Sequence, residues 1–327
     1  MALEGEAVGR REALIRVLRA GAAAAGAAGL GFWLSSRSRY PEEPPAPYIK
    51  KSHAVPRDAS LPEMAVVQGD NPRQALRRAV AELGGMSRFI ARGDVVVIKP
   101  NVSWDRTPEQ AANTNPLVVA EMVRLCSEAG AKTVIVTDVS INEPHRCFQR
   151  SGIAEAARSE GARVVLPEPR LFRRVNIRGN LLGEWPVLEP FLNADKLINL
   201  PIAKSHSLTS VTLGLKNWYG ILGGQRQRLH QRIHESLADL GDFARPTLTV
   251  IDAYRVMLRG GPSGGSLEDV ALKKTLIAGT DPVALDAYAA KAYWNLEADD
   301  LLYLRLAEKR GLGTPAFENL RTRVIAI

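Results

Sequence analysis

Past residue 60, short apolar runs alternate with segments whose apolar residues recur every third or fourth position. "MAVVQG" (64–69), "DVVVIKPN" (94–101), "KTVIVTD" (132–138), "KLINLP" (196–201), "LTVID" (248–252) and "KTLIAG" (274–279) read as strands, with a shorter run at "RVVLP" (163–167). Between them lie helical patterns. "NPRQALRRAVAELGG" is opened by Asn71-Pro72 and closed by glycine. "NPLVVAEMVRLCSEAGA" has Asn115 at its N-cap and Pro116 in its first position, "IAEAARSEGA" is short, and Asp281-Pro282 starts a helix running through Trp294. Continuous β-branched runs separated by helices predict an α/β fold, with a mainly parallel sheet and helices on both faces.

Polar residues end these strands. Lys99 and Asn101 follow VVVI, Asp138 follows VIVT, and Asn199, Lys204 and His206 follow KLI. Asp252 follows LTVI and Asp281 follows LIAGT. Ligands of open α/β sheets bind outside the carboxyl ends of the strands. The set therefore reads as one functional edge, with Asp281 an N-cap.

In "NLPIAKSHSLTSVTLGLKNWYGIL" (199–222) the spacing predicts a helix over 205–219. It groups His206, Thr209, Thr212, Lys216 and Asn217 on one face, and Leu208, Val211, Leu215 and Trp218 on the other. The polar face carries no Glu, Gln or Arg, and threonine is a poor choice for an exposed helix surface. A bound anion suits it better than solvent, although an ordinary polar face remains the alternative. In the helix expected next, Leu229, Ile233, Leu237 and Leu240 form the core stripe, while Arg226, His230 and His234 share another face. Histidines at i and i+4 can hold one divalent metal, but the arginines around them would favour an anion, and a plain surface is the third reading. The glycine-rich "RGGPSGGS" (259–266) is a lid, an anion cradle or a flexible loop. It matches no nucleotide fingerprint.

The chain has 327 residues, 46% hydrophobic and 24% charged, with net charge +8. Six arginines against three glutamates place +3 of that in residues 1–40. The rest is spread without a basic run or an aromatic-lined stripe, so nucleic acid is not the expected partner. A small anionic ligand accounts for the excess. Two cysteines, Cys126 and Cys147, are too few for a cysteine-ligated iron–sulfur cluster within this chain, and read as buried free thiols. Arg10-Arg11 precedes an uncharged stretch, Ala20 to Leu34, shorter than the roughly 20 residues of a spanning helix. Residues 1–40 thus read as a twin-arginine-type export signal or membrane anchor, with a cytoplasmic helix as the alternative. Residues 41–53 read as a Pro-rich linker, and 54–327 as the α/β domain.

Taken together, "VVVIKPN", "TNPLVVAEMVRLCSEAGA", "VTD", the 199–222 segment, "VIDAYRVMLRGGPSGG" and "IAGTDPVALDAYAA" resemble the domain-of-unknown-function family DUF362. The resemblance implies matching positions at Lys99, Asn101, Asn115, Asp138, Lys204, His206, Thr209, Lys216, Asn217, His230, Asp252 and Asp281. Many members carry an added ferredoxin-like CxxCxxC segment. This chain has none, so a redox role would require a partner protein. The expected function is an enzyme on a small anionic substrate or cofactor, metal-assisted or redox-linked. Lys204 and Lys216 would neutralise charge, His206 would transfer protons, and Asp138 and Asp252 would serve as bases or metal ligands. Lys99, Asn101, Thr209, Thr212, Asn217 and Arg226 would bind the ligand, with His230 and His234 as a metal pair. The alternative is a non-catalytic accessory protein of a membrane-associated redox complex.

Overall fold

The computed structural model describes residues 52–327, together with positions 11, 15–22, 26–27 and 29–30, which are helical and exposed. Most of the export or anchor segment (1–40) and of the linker (41–53) lies outside the described residues. Among the described residues no helix is long and apolar enough to cross a membrane. The fold takes hold by His53, whose Nδ1 lies 3.0 Å from the carbonyl of Asp195.

In chain order the strands are β1 (Met64–Gln68), β2 (Val95–Pro100), β3 (Thr133–Val136), β4 (Arg163–Val164), β5 (Phe172–Asn176), β6 (Glu184–Leu188), β7 (Lys196–Leu200), β8 (Ile202–His206), β9 (Ser210–Thr212), β10 (Leu248–Met257), β11 (Val270–Gly279) and β12 (Thr322–Ala326). The helices are α1 (Pro72–Glu82), α2 (Pro116–Glu128), α3 (Pro144–Arg150), α4 (Ile153–Ser159), α5 (Glu189–Asn193), α6 (Gly214–Asn217), α7 (Ile233–Ala244), α8 (Pro282–Trp294) and α9 (Leu302–Lys309). Ten strands form one sheet in the order β12-β1-β11-β10-β7-β2-β3-β4, with β8 continuing alongside β10 and β9 alongside β8. Strands β5 and β6 form a separate antiparallel pair. Within the main order only β11 runs against its neighbours.

The strand period explains how two helix layers are bound at once. Side chains alternate between faces, so Val96 and Ile98 of β2 meet Val119, Met122 and Ile153 of α2 and α4. Val97 joins the opposite core, with Leu237 of α7, Leu285 of α8 and Tyr303 of α9. Both layers begin as their sequences dictate. Asn71 accepts from the amides of Arg73 and Gln74, Asn115 from that of Leu117, and Asp281 from those of Val283 and Ala284.

The expected helix over 205–219 is not formed. Strand β10 is longer than β7, pairing with it only at Leu248 and Thr249, so its far half has a free edge. β8 takes that edge after Pro201, with Ile202 opposite Asp252, and turns back as β9, with Ser205 opposite Val211. Ser210 adopts φ +60° at the reversal. The β-branched Val211 and Thr212 suit this strand, and tertiary pairing overrides the helical period. Only 214–217 form an α-helical turn, followed by a 3₁₀ turn through Ile221. The next helix also starts late: 226–232 is 3₁₀, Arg232 breaks the path at φ −134° and ψ 55°, and α7 begins at Ile233.

Candidate functional site

The carboxyl ends of β2 and β3, the overhanging β8–β9 hairpin and α6 with its 3₁₀ extension line a cavity of about 780 Å³. Its floor is a chain of buried polar side chains. Lys99 Nζ lies 2.7 Å from Asp138 Oδ1 and donates to Asn217 Oδ1 at 2.9 Å and to the carbonyl of Pro100 at 2.8 Å. The other Asp138 oxygen accepts from the Val102 amide at 2.7 Å. Asn217 uses its whole amide: Oδ1 also accepts from Asn101 Nδ2 at 3.1 Å, and Nδ2 donates to the Lys99 carbonyl at 3.1 Å and to Asn199 Oδ1 at 2.9 Å. Lys204 Nζ donates to Asn101 Oδ1 at 3.1 Å and to the Ala112 carbonyl at 2.6 Å. A methyl group on Gly220 would stand 2.0 Å from Asp138 Oδ1 and 2.6 Å from Lys99 Nζ, so the closeness of α6 and its 3₁₀ extension to the floor requires glycine there.

Lys216 differs from these lysines. It is buried, its ammonium sits 4.4 Å from the centroid of Tyr219, and it makes no hydrogen bond among the described residues. Tyr219 stacks in turn on His230, ring centroids 5.6 Å apart. Arg226 donates to the carbonyls of Ser140 and Tyr219 at 2.8 and 3.3 Å and carries its charge to the same wall. The Thr212 hydroxyl lines the cavity and is buried without a hydrogen-bond partner among the described residues. Burial pushes Lys204 down to about 7, helped by the charge of Lys216. It does the same to Lys216, helped by Arg226 and Lys99. Burial, with Lys216 and Lys204 beside it, holds His206 at about 3. His206 Nδ1 accepts from the Leu208 amide at 3.1 Å, so the neutral ring carries its hydrogen on Nε2. It presents a hydrogen-bond donor where the sequence suggested a proton shuttle.

The structure thus brings Lys99, Asn101, Lys204, His206, Thr212, Lys216, Asn217, Arg226 and His230 to one cavity, with Asp138 beneath it. Three expected residues lie elsewhere. Thr209 Oγ1 is taken up by the Val211 carbonyl, 2.9 Å away in the hairpin turn. Asp252 is buried under α2, where it accepts from the amides of Asn115 at 2.7 Å and Tyr254 at 3.0 Å, and burial lifts it to about 6. It braces the helix start and does not line the cavity. His234 packs on Tyr303, centroids 6.3 Å apart, across the break that separates it from His230, so the two histidines do not share a helical face. Among the described residues no three His, Cys, Asp or Glu side chains converge as a metal group. Asp281 sits at the opposite sheet edge, because β11 runs antiparallel, and acts as the N-cap expected of it. Both cysteines are free and buried.

Sequence reasoning passed over Tyr219 and Asp286. Asp286, on α8, accepts from the amides of Gly214 at 2.6 Å and Leu215 at 3.0 Å and so caps the turn that carries Lys216 and Asn217. An acid in an otherwise apolar helix, "PVALDAYAA", was the available signal.

A family model described as "Domain of unknown function (DUF362)" matches residues 96–291, which span every cavity residue named above. A thylakoid-associated protein of Synechocystis sp. is 26% identical over 254 residues, covering 75% of this chain and 76% of that protein. Among solved structures, a protein of Thermotoga maritima superposes with TM-score 0.37 at 15% identity, over 74% of this chain and 60% of that one. The lactate racemase apoprotein of Thermoanaerobacterium thermosaccharolyticum gives 0.39 at 15%, over 66% and 54%. This chain therefore spans less than two thirds of either solved protein.

Proposed function

We propose, for a chain that belongs to the domain-of-unknown-function family DUF362, that this cavity binds a small anionic substrate or cofactor and acts on it as an enzyme site. The supporting observation is the charge imbalance. Lys99, Lys204 and Lys216 converge on a pocket where, among the described residues, Asp138 is the one buried carboxylate paired with any of the three. Two of these lysines are held near pH 7 by burial. An entering carboxylate or phosphate restores their charge and gains charge-assisted hydrogen bonds. Thr212 and the Nε2 hydrogen of His206 orient the anion. Before it binds, a neutral Lys216 can accept a proton at working pH, which suits it to general-base work.

A second reading has its own support. A relative described as thylakoid-associated favours a protein working at a membrane, reached through residues 1–40 by export or anchoring, and serving a redox partner without turnover of its own. Native mass spectrometry with elemental analysis on the full chain from its own host separates the two. A retained organic anion or metal, lost from a folded Lys216→Met protein, supports the enzyme reading. A bare chain that copurifies with a partner subunit, and takes up neither carboxylates nor phosphate in calorimetry, supports the accessory reading.

A further inference from the structure

Cavity size and lining define the ligand more closely, given the anion reading above. Polar lining residues come from β2, β8 and α6. Apolar lining comes from Pro167, Pro169 and Phe172, where β4 leads into the β5–β6 pair, and from Val139 and Leu222, close to Asp138 and Gly220. These five residues bring no charge. At the mouth stand Ile141 and Leu208, large apolar side chains about half exposed to water. Among the described lining residues the one carboxylate, Glu143, is occupied in capping α3 through the amides of His145 and Arg146. A volume of about 780 Å³ lies within the range of roughly 300–1,000 Å³ that holds organic ligands of many atoms, and a bare inorganic anion would leave most of it empty.

We infer that the ligand is an amphiphile: an anionic head held by Lys204 and Lys216, and an apolar body lying along Phe172 and Pro169 and leaving past Ile141 and Leu208. The lining offers charged groups for such a head and apolar side chains for such a body. Its source is either a membrane lipid or a soluble alkyl or aryl acid.

The test is calorimetric titration of the full chain at pH 7 with inorganic phosphate, phenyl phosphate, butyl phosphate and octyl phosphate. Affinity is expected to rise with the apolar body, by about fourfold per buried methylene. A rise that continues through octyl points to the lipid source. A best fit at phenyl or butyl points to a soluble acid. Leu208→Ser should narrow the gap between octyl and inorganic phosphate about tenfold. Inorganic phosphate binding as tightly as octyl phosphate overturns the amphiphile while leaving the anion site standing. Binding of none of the four, or binding that survives Lys216→Met unchanged, overturns the anion site itself and the amphiphile with it.

Discussion

Lys99 and Lys216 are both buried against the same cavity, yet their surroundings are opposite. Lys99 donates to Asn217 and a carbonyl and forms an ion pair with Asp138, and glycine at 220 is what lets the chain close over that arrangement. Lys216 has the face of Tyr219 and, among the described residues, no hydrogen-bond acceptor. A saturated buried ion pair holds structure, since every strong donor has a fixed partner. A buried cation without an acceptor carries an unfavourable desolvation that a ligand can relieve. The floor is thus scaffold, and the Lys216 wall is where binding energy is available.

The largest effect expected from this contrast is on the floor. Lys99→Met leaves Asp138 as an uncompensated buried charge and should cost roughly 3–5 kcal/mol of stability. Lys216→Met removes a cation that has no counter-charge among the described residues and should leave stability unchanged or raise it. Denaturant titration of both proteins checks the pair. Equal losses would show that Lys216 is as structural as Lys99.

Binding should reverse the order. A charge-assisted hydrogen bond contributes about 1.5–3 kcal/mol, so Lys216→Met should weaken anion affinity by roughly ten- to a hundredfold in a protein that stays folded. Isothermal calorimetry with the best ligand found reads this directly. An affinity unchanged by the substitution would move the anion away from Lys216.

The pH dependence sharpens the comparison. Lys204 and Lys216 stand near 7 when folded and at the ordinary 10.5 when unfolded. Between those values the unfolded chain holds more protons, so the empty protein gains stability as pH rises from 7 towards 10.5. Anion binding requires the charged lysines. Affinity should therefore be greatest below pH 7 and fall above it by up to tenfold per unit for each lysine that must take up a proton. Calorimetry at pH 8.5 in buffers of different ionisation enthalpy should show proton uptake on binding. Binding without proton uptake would mean that the lysines are charged before the anion arrives.

The same contrast marks what the sequence made legible. Strand ends could be read because β-branched runs stop at polar residues, and Asn-Pro or Asp-Pro pairs announced three helix starts correctly. That located Lys99, Asn101, Asp138 and Lys204 at one edge. Helical spacing over 205–219 groups His206, Thr212, Lys216 and Asn217, and they do share a cavity, but through a hairpin followed by a single helical turn. The period misled because the partner that makes β8 a strand is the free edge of β10, far along the chain, and no local pattern reports it. Asp252 was misassigned for a related reason. A carboxylate ending a strand looks the same whether it faces a ligand or braces a neighbouring helix, and only the Asn115 amide distinguishes them. The reversal of β11, which carries Asp281 to the far edge, is likewise a matter of pairing.

Asp286 gives the smallest effect and the finest test of how the Lys216 wall is held. Its two carboxylate oxygens take the amides of Gly214 and Leu215, and no Cβ fits at Gly214 because Asp286 Oδ1 would lie 2.8 Å from it. Burial raises this carboxyl to about 7 against the pull of those two amides. Asparagine keeps one acceptor and loses the other, so Asp286→Asn should cost about 1 kcal/mol, as the loss of a helix cap does. Because the turn it caps carries Lys216 and Asn217 together, the loss should also appear in binding, as a few-fold weaker anion affinity and a shifted pH midpoint. Asp286→Ala, with neither acceptor, should show both effects more strongly. A stability loss with affinity and pH midpoint unchanged would mean that α6 is held by its own packing, and that the placement of Lys216 owes nothing to the acid behind it.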